Sequence, residues 1–184
     1  MNYLLIKRVI DIILSIILLL IFLPIFFIIC IGIILSSKGN PIFYQDRIGY
    51  DAKIFTIIKF RTMYISKPRK TKQTFLDSPD IFVFGKFLRR FKLDELPQII
   101  NILKGDMSFI GPRPCEISIY ENMPDWAKKR FSLKPGISGL AQIKGGYKIS
   151  WEKRWIIDLE YLKKISFKTD FLIFIRTFYA ILIG

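Results

Sequence analysis

The chain opens on its longest unbroken pattern, an apolar run without a charged residue from Ile12 to Ser37. Roughly 26 helical residues cover about 39 Å, more than the ~30 Å hydrocarbon core of a bilayer. The run is too long for a signal peptide, and no small-x-small cleavage pattern follows it. Pro24 falls near its middle, where it removes a backbone hydrogen bond and bends the helix. Two topologies fit. A tilted helix could cross, but Lys7 and Arg8 precede the run and Lys38, Arg47 and Lys53 follow it, so one basic flank would lie on the wrong side. A re-entrant hairpin bent near Pro24 keeps both flanks in the cytoplasm. Proline is frequent in transmembrane helices, so the pattern alone leaves both open.

Polar and apolar positions change rhythm after Ser36–Asn40, a stretch of turn formers. Pro41–Ile48 and Ile54–Thr62 read as strands of a β-hairpin about the turn Gly49–Ala52. Lys59 and Arg61 alternate at its end, which places them on one face. That face is either a solvated cationic edge or a contact for phosphate or lipid headgroups. Ser66–Ser78 is polar and reads as a loop. Ile81–Phe91 predicts a short amphipathic helix. A second helix runs from Glu95 to Lys104 and ends at Gly105, with Asp94 as N-cap and Pro97 in the first turn. Such a cap would set free N–H groups beside Asp94, favouring a phosphate; the plain alternative is an ordinary cap and first-turn acid. Ser150–Lys164 predicts a helix with Trp151, Trp155, Leu159 and Leu162 on one stripe. Asp170–Ile183 is apolar nearly all round, with Arg176 its only interior charge, and is too short to span. It reads as an interfacial helix with Phe171, Phe174, Phe178 and Tyr179 in lipid, or else as a core helix. The fold class is α+β and mostly helical: a membrane region over residues 1–37, then a cytosolic, membrane-associated catalytic domain over 38–184.

Composition narrows the chemistry. The chain has 184 residues and a net charge of +14, yet 52% of it is hydrophobic. That combination points to anionic headgroups, phosphate substrates, or both. A nucleic-acid binder is motivated by charge alone, and no recognition motif supports it. The two cysteines, Cys30 and Cys115, do not form a disulfide framework. Histidine is absent, so acid–base or metal chemistry falls to carboxylates, and oxygen ligands favour magnesium or manganese.

One segment concentrates that chemistry. In "KLDELPQIINILKGDMSFIGPRP", Lys92–Pro114, Asp94 and Glu95 are adjacent, with Arg89, Arg90 and Lys92 before them and Lys104 and Arg113 after. Carboxylates crowded by cations are expected to stay ionised, as a nucleophile or a metal ligand requires. In Gly111–Pro114 two prolines flank Arg113, a stiff turn suited to fixing a guanidinium on phosphate. The glycine-rich stretch Lys134–Gly146 could bring backbone N–H groups to a phosphate, but it matches no phosphate-loop fingerprint.

Together these residues resemble the bacterial sugar transferases, specifically the small monotopic phosphoglycosyl transferases that consist of the catalytic domain alone. The similarity covers nearly the whole chain through "KRVIDI", Pro24, "PIFYQDRIG", "KFRTM", the long central motif, "KPGISGLAQIKG" and "DLEYLKKISFKTD". It implies transfer of a phosphosugar from a UDP-sugar to polyprenyl phosphate, giving UMP and a polyprenyl-diphosphate-linked sugar. This is the first membrane step of glycoconjugate assembly, at the cytoplasmic face of the bacterial inner membrane. It also implies magnesium, interfacial helices, and a re-entrant helix bent at Pro24. Asp94 would be the nucleophile and form a covalent phosphosugar-aspartate. Glu95 would help hold the metal or activate the acceptor. Arg89, Arg113 and Gln142 match family positions suited to the substrate, Lys59 and Arg61 are further phosphate candidates, and Asp158 has a supporting place. Two departures stand out. Leu23 replaces a serine common before the bend, and Gly146 stands where some relatives have arginine, which leaves the sugar open between N-acetylated amino-deoxy sugars and simple hexoses. Interfacial aromatics are compatible with a homodimer. The competing reading from another class is a membrane-anchored scaffold without catalysis.

Overall fold

The computed structural model describes residues 3–65 and 78–183. The expected loop Ser66–Ser78 therefore lies, except for Ser78, outside the described residues. The N-terminal element is one helix, α1 (Tyr3–Ser36), assigned without interruption through Pro24. At 1.5 Å per residue it is about 51 Å long. The stretch between its ends is largely exposed, including Leu20, Ile21, Leu23, Phe27 and Ile28.

Both ends of α1 rest on the same body. Near the N-terminus, Arg8 donates to the carbonyls of Ile102 (2.6 Å) and Leu103 (2.8 Å), and buried Asp11 accepts the Phe109 amide at 3.2 Å. Near the C-terminus, Ile29 and Ile33 are buried in one cluster with Phe60, Phe82 and Leu88. Among the described residues, nothing covers the apolar middle in a comparable core, and an exposed apolar surface of this size marks an interaction site.

Strands β1 (Ile42–Ile48) and β2 (Ile54–Phe60) form the expected antiparallel hairpin, with Ile42 opposite Phe60 and Ile48 opposite Ile54. Its connection is a tight 3-10 turn, Tyr50–Ala52, with Asp51 and Ala52 both at positive φ. Helix α2 (Val83–Arg90) follows and lies directly on the chain leaving β2. Gly85 permits this, since a Cβ there would sit 2.2 Å from the Thr62 carbonyl oxygen. Helix α3 (Gln98–Lys104) ends at Gly105 in the left-handed conformation, φ 100, as the sequence indicated. Asn101 pins α3 to β2: its carboxamide accepts the Ile58 amide (3.0 Å) and donates to the Thr56 carbonyl (2.8 Å).

The second half is built from short pieces. Strand β3 (Ser108–Ile110) pairs in parallel with β4 (Gly136–Ser138), with helices α4 (Ile117–Glu121) and α5 (Asp125–Lys128) between them in sequence. Helix α6 (Leu140–Ile143) leads to α7 (Trp151–Lys163), which Ser150 caps by accepting the Lys153 amide. Ile157, Asp158 and Tyr161 are the buried residues of α7, Trp155, Leu159 and Leu162 are partly buried, and Trp151 is exposed. Helix α8 (Phe167–Ile183) buries Ile173 and leaves Phe167, Phe171, Ile175, Phe178 and Tyr179 exposed. With so many apolar side chains exposed, it is not a buried core helix. The fold is thus mostly helical, with one β-hairpin and one long apolar N-terminal helix.

Candidate active site

The carboxylate pair sits where the chain changes direction. Helix α2 ends at Arg90, and Lys92 then adopts φ 57, the left-handed region. A non-glycine residue there costs about 1–2 kcal/mol. This turn delivers Asp94 and Glu95 into a 3-10 turn, Leu93–Glu95. The expected N-cap role of Asp94 is not found. Helix α3 starts at Gln98 with Pro97 in the capping position and no side-chain capping bond. The first turn needs no side-chain acceptor because the Ile99 and Ile100 amides donate to the Leu96 and Pro97 carbonyls, at 3.1 and 3.0 Å.

The two acids are held in opposite ways. Glu95 is buried, and its Oε1 accepts Arg113 Nη2 at 2.8 Å and Lys59 Nζ at 3.4 Å. Burial alone would raise its pKa, but Arg113 and Lys59 outweigh that and hold it well below the ordinary range. Asp94 is half-buried, and its Oδ1 is closed off from solvent without a hydrogen-bond partner. Burial, then the neighbouring Glu95 charge, pushes its carboxyl up to about 6, against the pull of Lys59, Arg89 and Lys92. The cation-rich sequence thus keeps Glu95 strongly ionised, but not Asp94, because desolvation is the larger effect there.

The candidate phosphate-binding residues divide. Lys59 and Arg113 meet at Glu95. Arg89 comes from α2, donates its Nε to Thr62 Oγ1 at 2.8 Å, and is close enough to Asp94 to lower its pKa. Arg61 belongs elsewhere. It is buried, and its guanidinium donates to the carbonyls of Ser37 (2.6 Å), Gly39 (3.2 Å) and Asn40 (2.7 Å) and to Ser37 Oγ (2.9 Å). Arg61 therefore ties down the exit of α1. Gln142, on α6, buries both amide heteroatoms without partners.

The glycine-rich stretch is used for packing rather than as a loop open to a ligand. A Cβ on Gly136 would lie 2.1 Å from the Gly111 amide nitrogen, and one on Gly139 would lie 2.1 Å from the Gly111 oxygen. Only bare backbone allows β3 and β4 to approach this closely, and the Gly111–Pro114 turn is clamped as a result.

Two further candidate positions, Gln98 and Arg130, escaped the sequence pattern, and Asp158, already a candidate for a supporting place, gains a partner. Gln98 is almost wholly buried, with an unpartnered Nε2, one helical turn after the carboxylate pair. Arg130 and Asp158 form a buried ion pair, Nη2 to Oδ2 at 2.7 Å, and Arg130 Nη2 also donates to the Arg113 carbonyl at 2.8 Å. Arg130 and Asp158 are far apart in sequence, so no local periodicity could link them. The "QI" after "DELP" was the only local signal for Gln98.

No group of three or more His, Cys, Asp or Glu residues that could hold a metal occurs among the described residues. Asp94 and Glu95 still fit magnesium as a partial set. The ion characteristically takes one or two carboxylates and completes its shell with phosphate oxygens and water, and Asp94 Oδ1 is a hard oxygen with nothing bound to it.

The bacterial sugar transferase family matches residues 2–184 of the chain. The uncharacterized sugar transferase EpsL of Bacillus subtilis is 36% identical over 183 residues, covering 98% of this chain and 89% of EpsL. The UDP-glucose:undecaprenyl-phosphate glucose-1-phosphate transferase of Escherichia coli is 39% identical, but the aligned region is 40% of that longer protein. An Aeromonas hydrophila UDP-N-acetylgalactosamine-undecaprenyl-phosphate N-acetylgalactosaminephosphotransferase is 36% identical over 99% of this chain and 45% of its own length.

Proposed function

The chain belongs to the bacterial sugar transferase family, and from that premise we propose that it moves a phosphosugar from a UDP-sugar to a polyprenyl phosphate such as undecaprenyl phosphate. The observation that carries this reading is the contrast within the pair. Glu95 is fixed by two cations, while Asp94 beside it keeps a buried, unpartnered oxygen and a carboxyl pushed up to about 6. In the first step an Asp94 oxygen forms a bond to the sugar-linked phosphorus, and the bond to the leaving UMP oxygen breaks. In the second, an oxygen of the lipid phosphate attacks the same phosphorus and releases Asp94. Splitting the transfer suits one water-soluble and one lipid-borne substrate.

The remaining parts follow from charge and position. Arg113, Lys59 and Arg89 surround the pair and would neutralise the diphosphate. Magnesium or manganese, held by Asp94, Glu95 and diphosphate oxygens, would supply further neutralisation of the transferring phosphoryl group. Chelation should then stop UMP release, and added magnesium should restore it. The relatives named for glucose and for N-acetylgalactosamine keep both sugar classes in view for this chain.

The contacts of α1 support re-entry. Residues 8–11 and 29–33 both touch the catalytic body, which a helix crossing the bilayer from that body could do at one end only. The exposed aliphatic middle of α1 and the aromatic face of α8 would then share one lipid leaflet at the cytoplasmic face of the inner membrane. Labelling of a cysteine placed at Asn2 should succeed only from the cytoplasmic side; labelling from outside would exclude the hairpin. For the chemistry, a single turnover with a UDP-sugar labelled in the sugar-linked phosphate should leave label on the protein. Lipid product without any trapped label would replace the two-step route by direct transfer. Absence of UMP release across a UDP-sugar panel would favour a non-catalytic scaffold.

A further inference from the structure

The turn that carries Arg113 lacks the usual means of holding itself. Pro112 and Pro114 flank the arginine and neither has an N–H to donate. Its carbonyls are anchored from outside instead. The Pro112 oxygen accepts the Gly136 amide at 2.9 Å, and the Arg113 oxygen accepts Arg130 Nη2 at 2.8 Å. Arg130 is itself fixed. Its Nε and Nη2 both reach Asp158 Oδ2, at 2.9 and 2.7 Å, and its guanidinium lies 5.3 Å from the Phe131 ring centre. Both charged side chains are almost completely buried. The seam lined by Pro112, Arg113, Arg130 and Phe131 has no space for a water molecule.

A buried ion pair is an unpromising way to gain stability. Apolar residues of similar volume often serve equally well or better, because desolvating two charges offsets their attraction. What this pair does that apolar residues cannot is donate a directed hydrogen bond to the backbone of Arg113. From there the line continues through Arg113 Nη2 to Glu95 Oε1 at 2.8 Å. We infer that the buried Arg130–Asp158 pair is the positioning device for Arg113, carrying α7 into the geometry of the carboxylate site without touching substrate. The inference rests on the proposed role of Arg113 in binding the donor diphosphate.

Two variants test it. In Arg130→Met/Asp158→Leu both charges go together, so neither is left buried and unpaired. Its melting temperature should equal or exceed wild type, while kcat/KM for UDP-sugar turnover falls by about 10- to 100-fold, the scale of a misplacement near 1 Å. Arg130→Lys keeps the ion pair but lacks the planar fork needed to serve Asp158 and Arg113 together, and it should lose activity by a smaller factor. A readout independent of turnover is the side-chain Nε–H resonance of Arg113 in 15N spectra, assigned with Arg113→Lys. It should shift or broaden in both variants. Wild-type kcat/KM together with an unmoved Arg113 resonance in the double variant would overturn the inference. Should the double variant not fold, the same result in Arg130→Lys would overturn it. If wild type itself releases no UMP from UDP-glucose or UDP-N-acetylgalactosamine, the proposed function fails, and the Arg113 resonance still decides the positioning.

Discussion

Asp94 and Asp170 are both aspartates withdrawn from water, and the chain treats them in opposite ways. Asp170, at the start of α8, accepts the hydroxyls of Tyr3 (2.7 Å) and Tyr161 (2.6 Å) and the ammonium of Lys7. It thereby joins α1, α7 and α8 at one point. Asp94 has a buried oxygen with no partner and a like charge next to it. A satisfied buried carboxylate holds structure together; an unsatisfied one raises the energy of the resting state and is retained where a ligand or reaction will use it. Burial of an acid therefore says little about function until its partners are counted.

The largest expected effect comes from removing the unsatisfied acid. Asp94→Asn should lower turnover on the order of 10³- to 10⁴-fold, since an amide is a poor nucleophile. Its stability should hold or rise. The folded pKa of Asp94 lies above its ordinary value, so its contribution to stability is present in acid and lost as pH rises through about 6. At neutral pH the buried charge is therefore a liability that asparagine removes. Retained activity in steady-state UMP release would sink the nucleophile assignment.

Asp170→Ala should do the reverse. Breaking the partly buried Lys7–Asp170 contact and stranding two tyrosine hydroxyls should remove roughly 3 kcal/mol of stability, read by denaturant unfolding in detergent. The fraction that stays folded should turn over normally. A kcat collapse in fully folded protein would erase the contrast between the two acids.

The pH profile sharpens the comparison further. Attack requires ionised Asp94, so kcat/KM should fall about tenfold per pH unit below a midpoint near 6. A flat profile down to pH 5 would mean that another group carries the reaction. The smallest catalytic effect belongs to Arg61→Lys. Its bonds go to the exit of α1 rather than to the carboxylate pair, so melting temperature should drop while kcat per folded molecule stays within about twofold. A large kcat loss would restore Arg61 to the phosphate site.

Much of the site was legible in the chain because its chemistry is local. The adjacent carboxylates, the flanking arginines and the Pro–Arg–Pro turn are contiguous or nearly so. The β-hairpin and the glycine stop of α3 were also readable, since each depends on a few neighbouring residues. The N-cap assigned to Asp94 extended a local rule past the point where packing takes over.

The sequence by itself determined the apolar N-terminal element, the absence of histidine chemistry and the concentration of cations around one acidic pair. These follow from residue identity and short-range periodicity, which need no three-dimensional context. Only the tertiary structure decided which acid is satisfied and which is bare. It alone set Lys59 from β2 and Arg113 from a distant turn on Glu95, turned Arg61 away, and placed Arg130 between Asp158 and the Arg113 backbone. The physical reason is that solvation and hydrogen bonding at a carboxylate depend on whatever the fold brings within about 3 Å, and chain order does not encode that proximity.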